Sequence, residues 1–256
     1  MEQRKGLIQS VDRALDILEV VRDSAGPVRS TDIAAKVNLG LPTAHNIIRS
    51  LYARGYLAQD ENNRYLPGPE CFKMSGAVGG VFDGLKRAVA IPVRTLAEET
   101  GDTTFFGAEY FGSLYCVALQ VGGGQLVVSG RQDWLELLHC TAAGKIIIAE
   151  KGVKWFAAAT KAKNLRAYNP KTITTMEGMA LEVEKIKNSG HALCVDECGE
   201  GVAALGVAVR DKNGKFLGSL AQSFPTLYLD NGKIKPAERA ELLRRHAATI
   251  TEAYRA

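Results

Sequence analysis

Within residues 30–51, two apolar stripes of helical spacing are separated by only a few residues, and this tight pairing limits what the first part of the chain can become. Ile33, Ala34 and Val37 form one stripe; Ala44, Ile47, Ile48 and Leu51 form the other at i, i+3, i+4, i+7. The first of these helices is expected to start at Ser30 and stop at Asn38, a residue type that tolerates the left-handed conformation beyond a helix end. Leu39 then points back to the core, and Pro42, whose fixed φ suits a first helical turn, opens the next helix behind Leu41, a poor cap. An earlier helix is expected from a Ser10 cap, with Asp12 near its positive end, Val11, Leu15, Leu18 and Val21 on one stripe, and Gly26 and Pro27 as its stop.

Burying those stripes leaves one face of the third helix in water. A rotation of about 100° per residue puts Asn46 and Arg49 opposite the stripe, flanked by Thr43, His45 and Ser50. Asn pairs bidentately with adenine and Arg with guanine in a major groove, while Thr and Ser suit phosphates. Residues 33–59 contain no Asp or Glu but do contain Lys36, Arg49 and Arg54, so nothing there repels a phosphate backbone. Residues 56–58 read as a strand, 60–63 as a polar turn and 64–66 as a return strand, forming a wing that carries Arg64. The candidate DNA contacts are Arg29, Ser30, Thr31, Pro42, Thr43, His45, Asn46, Arg49 and Arg64.

The chain of 256 residues has room for two ordinary domains, and the Pro- and Gly-bearing segment 67–83 is the natural boundary. Its formal net charge of +4 is mild and spread out, so DNA binding must be local. No apolar run approaches the ~20 residues of a membrane span, and no apolar leader follows Met1. The five cysteines are odd in number and lack a C-x-x-C pair, which fits a reducing cytoplasm better than a disulfide framework.

The larger second part reads as an α+β domain of hairpin-linked strands with helices beside it. A helical stretch over 85–100 is interrupted by Pro92, strands follow at 104–110, 114–121 and 125–129, and Gly122, Gly123 and Gly124 form a tight turn rather than a phosphate loop, since no Gly-Lys-Ser/Thr follows. Thr141 caps a helix of Ala142 to Ile148, whose bare amides, with Lys145 nearby, suit a carboxylate. A helix over 177–187 ends at Gly190; strands at 192–195, 202–210 and 216–224 follow, with 211–214 as a turn, and Pro236 opens a final helix. No Gly-x-Ser-x-Gly elbow occurs and the four His are scattered, so no enzyme is expected. An alternative is a metal- or redox-responsive regulator using Cys194 and Cys198, with His191 beside them, although their spacing matches no compact zinc motif and the two thiols face one way only if the chain stays extended through Gly199.

Two sets of motifs carry a resemblance over nearly the whole chain. Ser10-Val11-Asp12-Arg13-Ala14-Leu15-Asp16-Ile17-Leu18 follows a Ser-Val-x-Arg-Ala-Leu-x-Ile-Leu pattern, Pro42-Thr43-Ala44-His45-Asn46-Ile47-Ile48 follows Ser-Thr-Val-His-Arg-Leu-Leu with Asn46 in place of Arg, and Arg64-Tyr65-x-x-Gly68 closes the wing. His139-Cys140-Thr141-Ala142-Ala143-Gly144-Lys145, Glu197-x-x-x-Gly201-Val202 and the strand closing at Pro225 supply the second set. The sequence resembles the IclR (isocitrate lyase regulator) family of bacterial transcription factors. The resemblance implies a winged helix-turn-helix domain over 1–68, a linker helix over 69–87 and a GAF-like effector-binding domain with a mostly antiparallel sheet over 88–256. It implies a cytoplasmic repressor of a catabolic operon that binds double-stranded operator DNA as a homodimer or dimer of dimers, with a small-molecule effector, no cofactor and no metal. Carried over, the effector contacts are Trp134, Leu138, His139, Thr141, Cys194, Glu197, Ala204 and Ser223. Cys194, Ala204 and Ala221 stand where many members place a carboxylate, a Cys and a Ser, which widens the expected organic acid to an aromatic or partly apolar one.

Overall fold

The computed structural model describes residues 7–128, 137–160 and 165–255. The chain divides into two units, Met1–Val81 and Phe82–Ala256.

In the first unit, α1 (Gln9–Arg22), α2 (Ser30–Lys36) and α3 (Leu41–Ala53) precede a two-stranded antiparallel wing of β1 (Leu57–Gln59) and β2 (Tyr65–Pro67), and α4 (Pro69–Gly80) follows. Ile17, Val21, Ile33, Ala34, Ala44, Ile48, Leu57 and Tyr65 form its core. Asn38 takes the left-handed conformation at φ 53° and lets Leu39 N–H return to the Ala34 carbonyl at 2.9 Å, which fixes the tight turn between α2 and α3. Val28 and Tyr65 exchange backbone hydrogen bonds of 2.8 and 2.7 Å, so the wing is tied to the segment ahead of α2. The helix ends differ from expectation in two places. Ile8 and Gly40, not Ser10 and Leu41, hold the N-cap positions of α1 and α3; Ser10 and Leu41 lie inside the first turns. The buried stripe of α1 is Ile17 and Val21, four apart, whereas Val11 and Leu15 lie on the water side.

The second unit comprises α5 (Asp83–Thr100), β3 (Thr103–Tyr110), β4 (Ser113–Gln120), α6 (Ala142–Lys151), α7 (Val153–Thr160), α8 (Met176–Ser189), β5 (Ala192–Val195), β6 (Val202–Arg210), β7 (Phe216–Pro225), α9 (Leu227–Asp230) and α10 (Pro236–Ala253). Its sheet is antiparallel throughout in the order β4-β3-β7-β6-β5. Strand alternation sorts adjacent residues to opposite faces: Phe106 and Leu220 join Val89, Leu96, Leu243 and Ile250 of α5 and α10, while Phe105 and Ala221 join Ile147, Phe156, Met179 and Val183 of α6, α7 and α8. Pro92 does not interrupt α5; it is buried inside a continuous helix that gives up one backbone hydrogen bond there. Residues 125–128 are not a strand, and 129 lies outside the described residues; the glycine turn is tight, with Gly124 N–H on the Gly101 carbonyl at 3.0 Å.

A buried polar cluster holds α10 to the sheet. Arg239 donates to Asp102 at 2.5 Å and to Gln222 at 2.9 Å, and the Gln222 amide donates to Thr100 and Thr104 at 2.7 and 2.8 Å. Removing the guanidinium leaves the Asp102 carboxylate buried without its cation. Arg239→Ala is therefore expected to destabilise the second unit by about 3–5 kcal/mol in urea unfolding; a loss below about 1 kcal/mol, as for a surface pair, would contradict the role assigned to this cluster.

Candidate DNA-binding face and ligand pocket

Helix α3 separates its two tasks by side. Ala44 and Ile48 are fully buried, whereas Pro42, Thr43, His45, Asn46 and Arg49 are exposed. Its first turn carries no acidic residue and its cap, Gly40, supplies no side-chain acceptor, so the positive helix end is left uncompensated by the chain. Arg29 and Thr31 are exposed at the start of α2, with Ser30 half-buried between them. Arg64 is half-buried and paired with Asp60 of its own turn at 2.8 Å, while the other Asp60 oxygen accepts the Asn62 and Arg64 amides. The wing is thus shaped by its own turn, and Arg64 must exchange a carboxylate for any phosphate it meets.

In the second unit one cross-strand row forms the floor of a cavity. Cys194 pairs with Ala204, Ala204 with Ser223 and Ser223 with Thr103 across β5, β6, β7 and β3. The head of α6 lies over this row, and the cavity of about 40 Å³ is lined by Phe105, Cys140, Thr141, Ala142, Cys194, Glu197, Cys198, Val202, Ala204 and Ser223. That volume holds about three or four waters at about 10–15 Å³ each. Gly206 permits the close approach, since a Cβ there would sit 3.2 Å from the Ala142 backbone; Gly144 makes room for the segment before the helix, since a Cβ there would sit 2.2 Å from the Leu138 carbonyl oxygen. Thr141 caps α6 by accepting the Gly144 amide at 3.1 Å while its hydroxyl donates to the Leu137 carbonyl.

The chemistry beside the cavity centres on a buried ammonium. Lys145, 1% exposed, donates to Glu182 at 3.0 Å and to Glu197 at 2.5 Å. Burial works against its charge, but the carboxylates of Glu197 and Glu182 around it hold it above the ordinary lysine range. This corrects the expectation that Lys145 helps the helix head receive a carboxylate: its donors are already committed to two carboxylates of the chain. The second oxygen of Glu197, Oε2, is buried without a hydrogen-bond partner among the described residues.

Of the expected effector contacts, Thr141, Cys194, Glu197, Ala204 and Ser223 come together at this cavity. Leu138 and His139 do not line it: Leu138 packs with Phe105 and Ile147 in the apolar core, and the buried His139 ring contacts the Arg166 carbonyl at 2.9 Å. Trp134 lies outside the described residues. Phe105, Cys140, Ala142, Cys198 and Val202 are additional lining residues. The sequence holds one signal for them, since alternation in β3 places Phe105 on the face opposite Phe106; Cys198 is brought in by the turn after β5, where Asp196 adopts φ 57°.

That same turn bears on the metal or redox alternative. The chain does not stay extended beyond Val195, and the sulfur contact that forms is Cys198 with Cys140, Sγ to Sγ at 2.9 Å, not Cys198 with Cys194. Among the described residues no group of three His, Cys, Asp or Glu side chains could hold a metal ion. Burial pushes the Cys194 thiol up, so it stays protonated at neutral pH. In the native protein iodoacetamide at neutral pH should leave Cys194 unlabelled while the half-buried Cys71 reacts, as read by peptide mass spectrometry; labelling of Cys194 at the rate of Cys71 would contradict its burial.

Comparison with known proteins decides the family. A model of the bacterial transcriptional regulator IclR C-terminal domain matches residues 85–252, and the IclR helix-turn-helix model matches residues 10–61. The chain belongs to the IclR family. As an IclR-family member it is a DNA-binding transcriptional regulator, not a catalyst. It is similar to the regulator XynR of Escherichia coli K12, 27% identical over 239 residues that cover 89% of this chain and 90% of that protein. It is also similar to the glycerol operon regulatory protein of Streptomyces griseus, 27% identical over 251 residues and 95% of each chain. Its fold matches a crystal structure of an IclR homolog complexed with 4-hydroxybenzoate from Microbacterium hydrocarbonoxydans, with a TM-score of 0.75 and 16% identity over 96% of this chain and 98% of that one. No helix among the described residues is long and apolar enough to cross a membrane.

Proposed function

We propose that this IclR-family protein is a ligand-responsive repressor of a catabolic operon. The carrying observation is the outer face of α3, on which Asn46 and Arg49 are presented to solvent while Ala44 and Ile48 anchor the helix. In this reading α3 enters the major groove, Asn46 and Arg49 meet base edges, Thr43 and His45 flank them, Pro42 with Arg29, Ser30 and Thr31 lies near the backbone, and Arg64 follows from the wing. A small organic acid bound at the cavity under α6, among Thr141, Cys194, Glu197, Ala204 and Ser223, changes DNA affinity by favouring one state of the protein over another. The names of relatives support repression and catabolism: the family includes the transcriptional repressor IclR of Escherichia coli K12 and the glycerol operon regulatory protein of Streptomyces griseus. The homolog that holds 4-hydroxybenzoate keeps an aromatic acid within the class.

The domain limits in this reading are 1–68 for the winged helix-turn-helix, 69–87 for a linker that takes in α4 and the first turn of α5, and 88–256 for a GAF-like sensor; the linker is the coupling element. A second copy of the chain is the partner that covers Val11 and Leu15 of α1 and Phe72 and Met74 of α4, large apolar side chains that are otherwise exposed. A twofold dimer places two recognition helices on a pseudopalindromic site. Arg49→Ala is expected to weaken operator discrimination by about 1–3 kcal/mol in fluorescence anisotropy with matched and scrambled duplexes, with the unfolding midpoint unchanged. Equal discrimination by the variant and the parent would overturn the assigned face.

A further inference from the structure

We infer that the ligand of the cavity under α6 presents a hydroxyl to the unpartnered Oε2 of Glu197, so that hydroxylated organic acids bind and their deoxy counterparts do not. This rests on the pocket assignment made above and adds the chemistry that selects the ligand. Glu197 is 7% exposed and lines the cavity. Its Oε1 is held by Lys145 and its backbone carbonyl by the Thr172 hydroxyl at 2.6 Å, which leaves Oε2 as the one oxygen of this residue with nothing to accept from among the described residues. Buried carboxylate oxygens without a donor are unfavourable, because the water they lose is not replaced.

The neighbours do not supply the missing donor. The Thr141 hydroxyl is spent on the Leu137 carbonyl, the Cys198 thiol on the Cys140 carbonyl at 2.8 Å, and two of the three Lys145 N–H groups on Glu182 and Oε1; none of them bonds Oε2. Glu182 is shared between Lys145 and Lys185, which lies 3.7 Å from its other oxygen, so the cluster is balanced as a whole; it is the unpartnered Oε2, an acceptor only, that turns away a ligand carboxylate and attracts a donor. A ligand acid group must therefore sit away from Glu197, while a hydroxyl at the other end of the molecule takes up Oε2. A ligand hydroxyl that reaches Oε2 supplies the hydrogen bond it lacks, whereas a C–H group in the same position leaves it unmade. Sites built to bond a substrate hydroxyl reject the analogue that lacks it far more strongly than apolar pockets reject a missing methylene.

The test uses the full chain and two matched pairs of small acids that differ by one hydroxyl, 3-hydroxypropionate with propionate and glycolate with acetate, titrated by calorimetry into the parent and into Glu197→Gln. The amide of the variant can still accept from Lys145 but carries N–H donors in place of Oε2, so it no longer requires a hydroxyl. Glu197→Asp, which draws the whole carboxylate back by one methylene while keeping a negative charge opposite Lys145, serves if the Gln variant does not fold. The expected result is that in at least one pair the hydroxylated acid binds the parent at least about tenfold more tightly than its deoxy partner, and that the difference disappears in the variant. Equal binding of both members, or a difference that survives in the variant, overturns the donor requirement. If that equal binding is lost in Ala204→Phe, which fills the cavity, the pocket assignment stands without it; silence from all four acids overturns both.

Discussion

The ammonium of Lys145 is the constraint around which the second unit is arranged. A lysine this deeply buried is tolerated only with carboxylates against it, and those come from two separate places, Glu182 on α8 and Glu197 in the turn after β5. The three residues therefore fix the head of α6, the flank of α8 and one end of the sheet relative to one another. Gly206 removes the side chain that would hold the head of α6 off the strands, Gly144 lets the segment at Leu138 fold against the helix, and the Thr141 hydroxyl caps the Gly144 amide. A small cavity over the row Cys194, Ala204 and Ser223 is the consequence, because the helix head is brought close by charge and backbone while the strand residues beneath it are short.

The first unit is organised on a different principle. Its apolar core takes two buried side chains each from α1, α2 and α3, and the outer surface of α3 is left to residues that do nothing for that core. Asn46, which stands where the family pattern has Arg, is exposed and takes no part in that core. The wing shows the opposite economy: Arg64 and Asp60 fix the turn between themselves, so any contact of Arg64 with DNA competes with an existing ion pair.

Much of this was legible from residue types. The stripe of α3, the left-handed Asn38, the Thr141 cap, the Gly190 stop and the three C-terminal strands follow from local rules of spacing and backbone conformation, and the structure bears them out. What escaped were outcomes of distant contacts. The sequence offers α1 two apolar faces, and only packing against α2, α3 and the wing selects Ile17 and Val21 over Val11 and Leu15. Pro92 reads as a break until the rest of α5 holds the helix together around it. Lys145 reads as a cation that helps the helix head hold a ligand carboxylate, and nothing local reveals that Glu182 and Glu197, 37 and 52 residues away, enclose it. Leu138 and His139 sit in irregular chain, where motif position does not say which way a side chain points, and Cys198 meets Cys140 across 58 residues.

The central claim is that one protein couples an acid bound under α6 to DNA bound on α3, and linkage makes that claim measurable. The affinity of the full chain for its operator duplex should be determined by anisotropy with and without a saturating acid that binds the cavity, and the affinity for the acid with and without duplex. The account predicts that the acid changes operator affinity by about 5–150-fold and that the duplex changes acid affinity by the same factor. An acid that fills the cavity and leaves operator affinity unchanged would contradict it.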